Sequence, residues 1–317
     1  MALIRKLPIA PNFAFLKHRM MFLGLSTTIV LGSLLIFAVQ GLNLGVDFRG
    51  GILMEVRTDG PADLAQMRAD LNALGLGGVT LQEFGDPSEV LINIQRQEGG
   101  ERAQAEAIRL VKEALGNVEF RRTEFVGPKV GSELREAGAL ATVLALLGIA
   151  LYVWFRFEWQ FALAALAALV HDVIATIGFF SLTQIEFNLS TLAAVLTVAG
   201  YSINDTVVIF DRVRETLRKF KRLPLFEVLD KAINGTLSRT FLTSGTTLLA
   251  LIALATLGGA VIRGFSLGLI WGLLIGTYSS IGLAVPLLSL MNLRGSMIVE
   301  SESDAAGKAA QSGPERA

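Results

Sequence analysis

Asp205, Arg239 and the pair His171-Asp172 sit inside stretches of sequence that are otherwise apolar. Ionisable groups are expensive in hydrocarbon and persist there where they pair, line water or carry protons. Ser190, Thr197, Tyr201 and Asp205 follow one another at steps of seven, four and four, which keeps them on one helical face with Ala194 filling the gap. Ser202, Asn204 and Thr206 make the same stretch unusually polar. A second stripe, Thr236, Arg239, Thr243 and Thr246, advances by three, four and three. If the two stretches run in opposite directions, Asp205 and Arg239 fall at similar depth and form a candidate charge pair. The chemistry open to such a set is proton transfer. Burial and a neighbouring cation act in opposite directions on a carboxylate's proton affinity, and the balance can bring it near neutrality. Two plainer readings stand beside this one: Asp205 as a helix-end carboxylate reaching water, and Arg239 as a side chain snorkelling to the interface. His171-Asp172, about eleven residues into its own stretch, reads either as part of a proton relay or as an interhelical hydrogen bond. The chain has only two histidines, His18 and His171, and no cysteine, so no metal or other cofactor site is expected, and no thiol nucleophile.

These residues need membrane-spanning helices to hold them. Apolar residues make up 52% of the 317-residue chain and charged residues 18%, below the roughly 25% usual for soluble domains. The mean hydropathy is +0.55, and the apolar residues are gathered in long runs. The first run, Met21 to Val39, follows Lys17, His18 and Arg19. It is longer than a signal-peptide core and lacks an A-x-A cleavage site, so it reads as an anchored span over 21–40. Five more spans are expected at about 137–155, 160–182, 190–210, 238–258 and 262–290. The segment 211–236 carries seven Lys/Arg, whereas the turn Ser181–Leu189 carries none. The N-terminal segment 1–20 adds Arg5, Lys6, Lys17 and Arg19, and Arg156 lies between spans two and three. The positive-inside rule puts these basic segments in the cytoplasm, with both termini inside and 41–132 outside. The polar tail 295–317 reads as disordered. Span six carries Gly264, Gly268, Gly272, Gly276 and Ser280, a small-residue ridge that calls for close helix packing; its partner, internal or foreign, is left open. The zero net charge gives no hint of a nucleic-acid partner.

The segment 41–132 is of another kind. Strands are expected at Ile52–Arg57, Val79–Phe84, Glu89–Gln95 and Val118–Val126, with helices from Pro61 to Leu74 and from Glu101 to Leu115. A turn at Gly85-Asp86-Pro87-Ser88 joins the middle strands. The order β-α-β-β-α-β is that of a split βαβ, ferredoxin-like domain. The expected fold is thus an α-helical integral membrane protein of six transmembrane helices, with a small external α+β domain between spans one and two.

Gly45-Val46-Asp47-Phe48-Arg49-Gly50-Gly51 resembles the GxDFxGG motif of the SecF family, and the stretch from Gly200 through Asp205 to Glu215 is similar to that family's fourth-span signature. His171-Asp172-Val173, Ser238-Arg239-Thr240 and Thr243-Ser244-Gly245-Thr246-Thr247 match the same family, and the resemblance extends over residues 13 to 294. Arg49 departs from it, since a small hydroxyl residue is usual there. The resemblance implies half of an RND-like bundle, completed by SecD. It also implies an accessory role in the Sec preprotein translocase, in which proton flow aids export through SecYEG after the ATPase SecA has started it. In the family, the residues matching Asp205 and Arg239 are associated with proton conduction at the SecD–SecF boundary; the residue pattern adds Asp172, His171, Tyr201 and Asn204 as further proton-conducting candidates. YajC, YidC and unfolded preprotein are further implied partners, and the bacterial inner membrane the implied location. No nucleotide-binding or hydrolytic site is expected. Rival classes are an RND-type exporter of small molecules, an intramembrane aspartyl protease, for which the GxGD context is missing, and a passive scaffold of the translocon.

Overall fold

The computed structural model describes residues 12–291 and 293, apart from 85 and 117; the basic residues Arg5 and Lys6 and the tail expected to be disordered lie outside the described residues. A single 3-10 turn, Phe15–His18, leads into α1 (Arg19–Gln40). Then come α2 (Val46–Arg49), β1 (Gly51–Arg57), α3 (Leu64–Ala73), β2 (Val79–Phe84), β3 (Asp86–Gln95), α4 (Gly100–Leu115) and β4 (Glu119–Val126). The rest is helical: α5 (Pro128–Arg156), α6 (Trp159–Thr183), α7 (Leu189–Lys219), α8 (Leu225–Leu257), α9 (Gly259–Ser279) and α10 (Val285–Ser289). A π-helical turn, Ser280–Ala284, joins α9 to α10. Among the described residues six helical segments are long and apolar enough to cross a membrane, at 15–40, 129–156, 159–183, 189–219, 225–257 and 262–289. The 22 residues of α1 rise about 33 Å, enough for a hydrocarbon core of roughly 30 Å.

In the bundle α6 and α9 are the most buried, α7 follows, and α1, α5 and α8 turn apolar side chains outward. Helix α7 packs on α6, α8 and α9, and α1 packs on α6. One apolar cluster fills the end where α5 meets α6, around Phe157, Phe161 and Phe210. Another fills the opposite end, around Phe48, Phe180 and Phe187.

Several boundaries differ from the sequence reading. The basic segment 211–236, expected as a loop, is helical except for a short link, because α7 continues to Lys219 and α8 begins at Leu225. Polar side chains support helix beyond the apolar zone, as in the Arg212–Glu215 pair at 2.6 Å one turn apart. Span six is broken by the π turn. Pro286 has no amide to bond back one turn, so the hydrogen-bond ladder must shift before it. The helix α3 starts at Leu64 because Asp63 caps it, accepting from the amides of Ala65 and Gln66 at 3.0 Å. The stretch 86–88, expected in a turn, belongs to β3.

The four strands form one antiparallel sheet in the order β2-β3-β1-β4. Alternation along the strands puts Ile52, Met54, Val56, Val90, Ile92 and Ile94 on one face, buried against Met67 and Leu71 of α3 and Ala107 and Val111 of α4. The other face carries Asn93 toward the bundle, as its contact with Glu186 shows.

Candidate functional site

One turn of α7 holds three neighbouring helices by polar side chains. Ser202 donates to Oδ2 of Asp172 on α6. Asp205 Oδ1 accepts from Thr240 on α8 at 2.7 Å. Thr206 shares a hydrogen bond of 2.9 Å with Ser280 in the π turn. Ser202 and Thr206 are four residues apart and Asp205 lies three from Ser202, so the three groups share one side of α7, within an arc of roughly 100°, and that side faces α6, α8 and the π turn together.

Asp205 is buried, and its second oxygen, Oδ2, is buried without a hydrogen-bond partner among the described residues. A buried orphan oxygen is costly and calls for a reason. Arg239, the expected ion-pair partner, is not one: among the described residues no carboxylate lies within 4 Å of its guanidinium. The adjacent Thr240 points inward and takes the carboxylate, while Arg239 stands exposed on the outer side of α8, within electrostatic reach of Asp205. Asn204 and Thr197 of α7 and Thr243 and Thr246 of α8 are exposed as well, and Tyr201 is half-buried. A polar strip thus crosses the apolar zone on the outside of this chain.

His171 and Asp172 occupy the middle of α6 and are almost wholly buried. Asp172 is fully engaged: Oδ1 meets His171 Nδ1 at 2.8 Å, and Oδ2 accepts from Ser202 and from Ser279 of α9, the latter at 2.7 Å. His171 Nε2 is buried with no partner among the described residues. Its ring lies 6.2 Å from that of Tyr278, whose hydroxyl donates to the carbonyl of Phe22 and bonds Ser26 on α1. Asp172 on α6 and Asp205 on α7 are therefore separate sites, each with its own partners.

The glycine ridge of α9 lies against α7 and α6. A methyl group on Gly268 would stand 2.5 Å from the Phe180 ring, one on Gly276 would stand 3.1 Å from Ser202 Cβ, and one on Gly272 would overlap Val198. Gly264 faces Ile185 and Thr191. The ridge's partner is internal.

The motif at 45–51 is the joint between bundle and sheet. Gly50 and Gly51 have φ of +75° and +153°, and added Cβ atoms would meet the carbonyl oxygens of Val126 and Ile94 at 2.9 and 2.5 Å. Asp47 Oδ2 accepts from the amide of Leu189, the first residue of α7, at 3.0 Å. Gly45 lies under the Glu186 carboxylate.

Thr240, Ser279 and Glu186 carry contacts that spacing did not single out, while Ser202 was named only for the polarity of its stretch and Ser280 only as the end of the glycine ridge. Thr240 lies beside Arg239 in a matched motif, the one signal that pointed to it; Glu186, a lone carboxylate in a turn, had none.

Comparison with known proteins is consistent over nearly the whole chain. The family described as "Protein export membrane protein SecD/SecF, C-terminal" matches residues 106–294, and "SecD/SecF GG Motif" matches residues 35–62. The protein translocase subunit SecF of Rickettsia felis is 46% identical over 292 residues, covering 90% of this chain and 94% of its own. That of Magnetococcus marinus is 49% identical over 289 residues, covering 89% and 93%. The chain belongs to the SecF family. Members of this family are subunits of the protein translocase, and the six apolar helices make the chain a multi-pass membrane protein. The crystal structure of SecDF from Thermus thermophilus superposes with a TM-score of 0.77 at 34% identity, covering 90% of this chain and 39% of that one. SecDF in its super-membrane-facing form gives 0.68 at 33% identity, covering 95% and 40%. This SecF-family chain therefore spans about two-fifths of the SecDF chains it resembles.

Proposed function

We propose that this chain joins a SecD subunit to form a proton-driven machine that assists late steps of protein export through SecYEG. In this arrangement both termini are cytoplasmic, the membrane is the bacterial inner membrane, and the sheet domain, ferredoxin-like by its element and strand order, stands outside. YajC, YidC and unfolded preprotein belong to the same reading by family resemblance.

The observation that carries it is Asp205: a buried carboxylate with one oxygen unpartnered among the described residues, behind a polar strip that no described residue covers. A strip bearing Arg239, Asn204 and several threonines is costly against lipid, so it calls for a second half-bundle. SecDF chains are more than twice as long as this one, which gives room for such a half. At that boundary Asp205 would load and release the proton. Arg239 would set its readiness by charge, and Thr240 would orient it. A proton crossing the membrane yields about 2.3 kcal/mol per 100 mV, and roughly 5.5 kcal/mol reverses a 1:99 equilibrium. A few protons per cycle therefore suffice to drive an outer domain between two positions.

The test is protein export into inner-membrane vesicles with and without an imposed proton gradient. Asp205→Asn keeps shape and hydrogen bonding but cannot cycle a proton. It is expected to assemble, to keep the ATP-driven part of export and to lose the gradient-stimulated part. Full stimulation in Asp205→Asn would leave a passive scaffold as the standing reading. For His171 and Asp172 the complete satisfaction of Asp172 by three partners favours an interhelical lock over a relay.

A further inference from the structure

The sheet domain meets the bundle at several places, β2 against α9 among them, and at the 45–51 motif two of the side chains that tie the two together are carboxylates. The chain leaves α1 at Gly41, whose carbonyl accepts from Ser181 and Gln184 at the end of α6. Leu44 then pairs with Phe187 in a parallel bridge, with Gly45 donating to the Phe187 carbonyl at 2.9 Å and Phe187 to that of Asn43 at 2.7 Å. The 45–51 motif is thereby tied to the α6–α7 turn. Asp47 grips the first amide of α7, where the partial positive charge of a helix start favours an anion. Glu186, in the same turn, reaches the other way: Asn93 of β3 donates to its Oε2 at 3.5 Å. Glu186 lies across Gly45 and faces a cleft of about 110 Å³ between the motif and the sheet edge.

We propose that Asp47 and Glu186 form a joint that ties the sheet domain to α7, the helix carrying Asp205, and that Glu186 is the member that takes up and releases a proton. The proposal takes its purpose, though not its geometry, from the proton-driven reading above. The charged groups around Glu186 are few. From α2 come Asp47 and Arg49, the latter facing the same cleft without an ion pair to Glu186; β2 and β3 offer only the neutral Thr80, Asn93 and Gln95 there. Arg135 of α5 is taken up by the Phe48 carbonyl. Burial, then the charge of Asp47, push the Glu186 carboxyl above the usual glutamate range, and the hydrogen bond from Asn93 pulls part of the way back. A carboxylate raised in this arrangement favours it fully below the ordinary glutamate value and withdraws that support as pH rises through the raised value. Neutral Glu186 no longer repels Asp47, and its carbonyl oxygen still accepts from Asn93. Protons gathering on the sheet-domain side would thus close the joint, and their loss would loosen it. Position and role come together: the two positioning carboxylates stand where the motif passes from the sheet domain to the start of α7.

The chain has no cysteine, so two spin labels report cleanly. One label goes at Arg68→Cys on α3, the other at Leu257→Cys at the end of α8 beside the β2–β3 turn. The full-length chain is placed in lipid nanodiscs at equal pH on both faces, and label distances are measured at about pH 5 and about pH 8. The native joint should give a tighter, shorter distribution at the lower pH. Glu186→Gln should hold that distribution at both, and Glu186→Asp should keep a response. A native distribution that ignores pH, or a Glu186→Gln variant that still responds, overturns the proposal. No gradient and no export are involved, and Asp205→Asn should respond like the native chain. Failure of the joint therefore leaves the Asp205 reading untouched, and failure of Asp205→Asn in export leaves the joint untouched.

Discussion

Asp205 accepts from Thr240 with one oxygen and keeps the other buried and unpartnered among the described residues, while both oxygens of Asp172 are engaged. Two aspartates one helix apart thus face different demands. Removing Asp172 strands the Ser202 hydroxyl and the His171 ring and leaves Ser279 with the Gly276 carbonyl alone. Asp172→Ala is expected to destabilise the bundle by on the order of 3 kcal/mol, read as earlier unfolding of the purified protein in detergent. Asp172→Asn, which keeps most acceptors, should cost less and leave gradient-stimulated export in place; loss of that stimulation in a stably folded Asp172→Asn protein would return His171-Asp172 to the relay. Arg239→Lys keeps a charge but loses the planar guanidinium with its five donors. Partial export with an altered pH dependence is expected, whereas Arg239→Ala should fail. Equal activity of Arg239→Ala and the native protein would reduce Arg239 to a snorkelling side chain.

The element that decides the bundle is α7, pressed between the glycine ridge of α9 and the polar contacts of its own middle turn. Gly272 sits where Val198 leaves no room for a side chain. Gly272→Leu must push α9 from α7 and break the Thr206–Ser280 contact about two turns away. It is expected to insert but to yield little stably folded protein, measured as recovery of a monodisperse peak after detergent extraction. Gly264 meets its neighbours at 3.1 and 3.4 Å, so Gly264→Ala should be milder. A normal peak from Gly272→Leu would mean that α7 and α9 do not lie this close in the membrane.

For the molecule as a whole, orientation is the open quantity, and the lack of cysteine makes it testable by single labels. Ser88 is a poor reporter, since it is buried and bonded to Asp86. Arg68, exposed on α3, serves instead. Arg68→Cys should react with a membrane-impermeant thiol reagent added to cells whose inner membrane is intact. Lys221→Cys, in the link between α7 and α8, should react only after that membrane is opened. The reverse pattern would invert the topology and with it the direction of proton entry.

Long apolar runs, the polar stripes of α7 and α8, the alternating strands and the 45–51 motif were all legible from residue order, because helix and strand periods act over a few neighbouring residues. That covers the six spans, the kind of element in the segment 41–132 and the family. The partners of those stripes were not legible. Thr240 rather than Arg239 meets Asp205 because the rotation of α8 about its axis turns one residue inward and its neighbour outward, and that rotation is set by packing with α9 and α7. The glycine ridge announced close contact but not with whom; α6 and α7 answer it through Phe180, Val198 and Ser202, which lie 70 residues or more from the glycines they touch. Glu186 had no signal at all, because its neighbours Asp47 and Asn93 come from segments that only folding brings together.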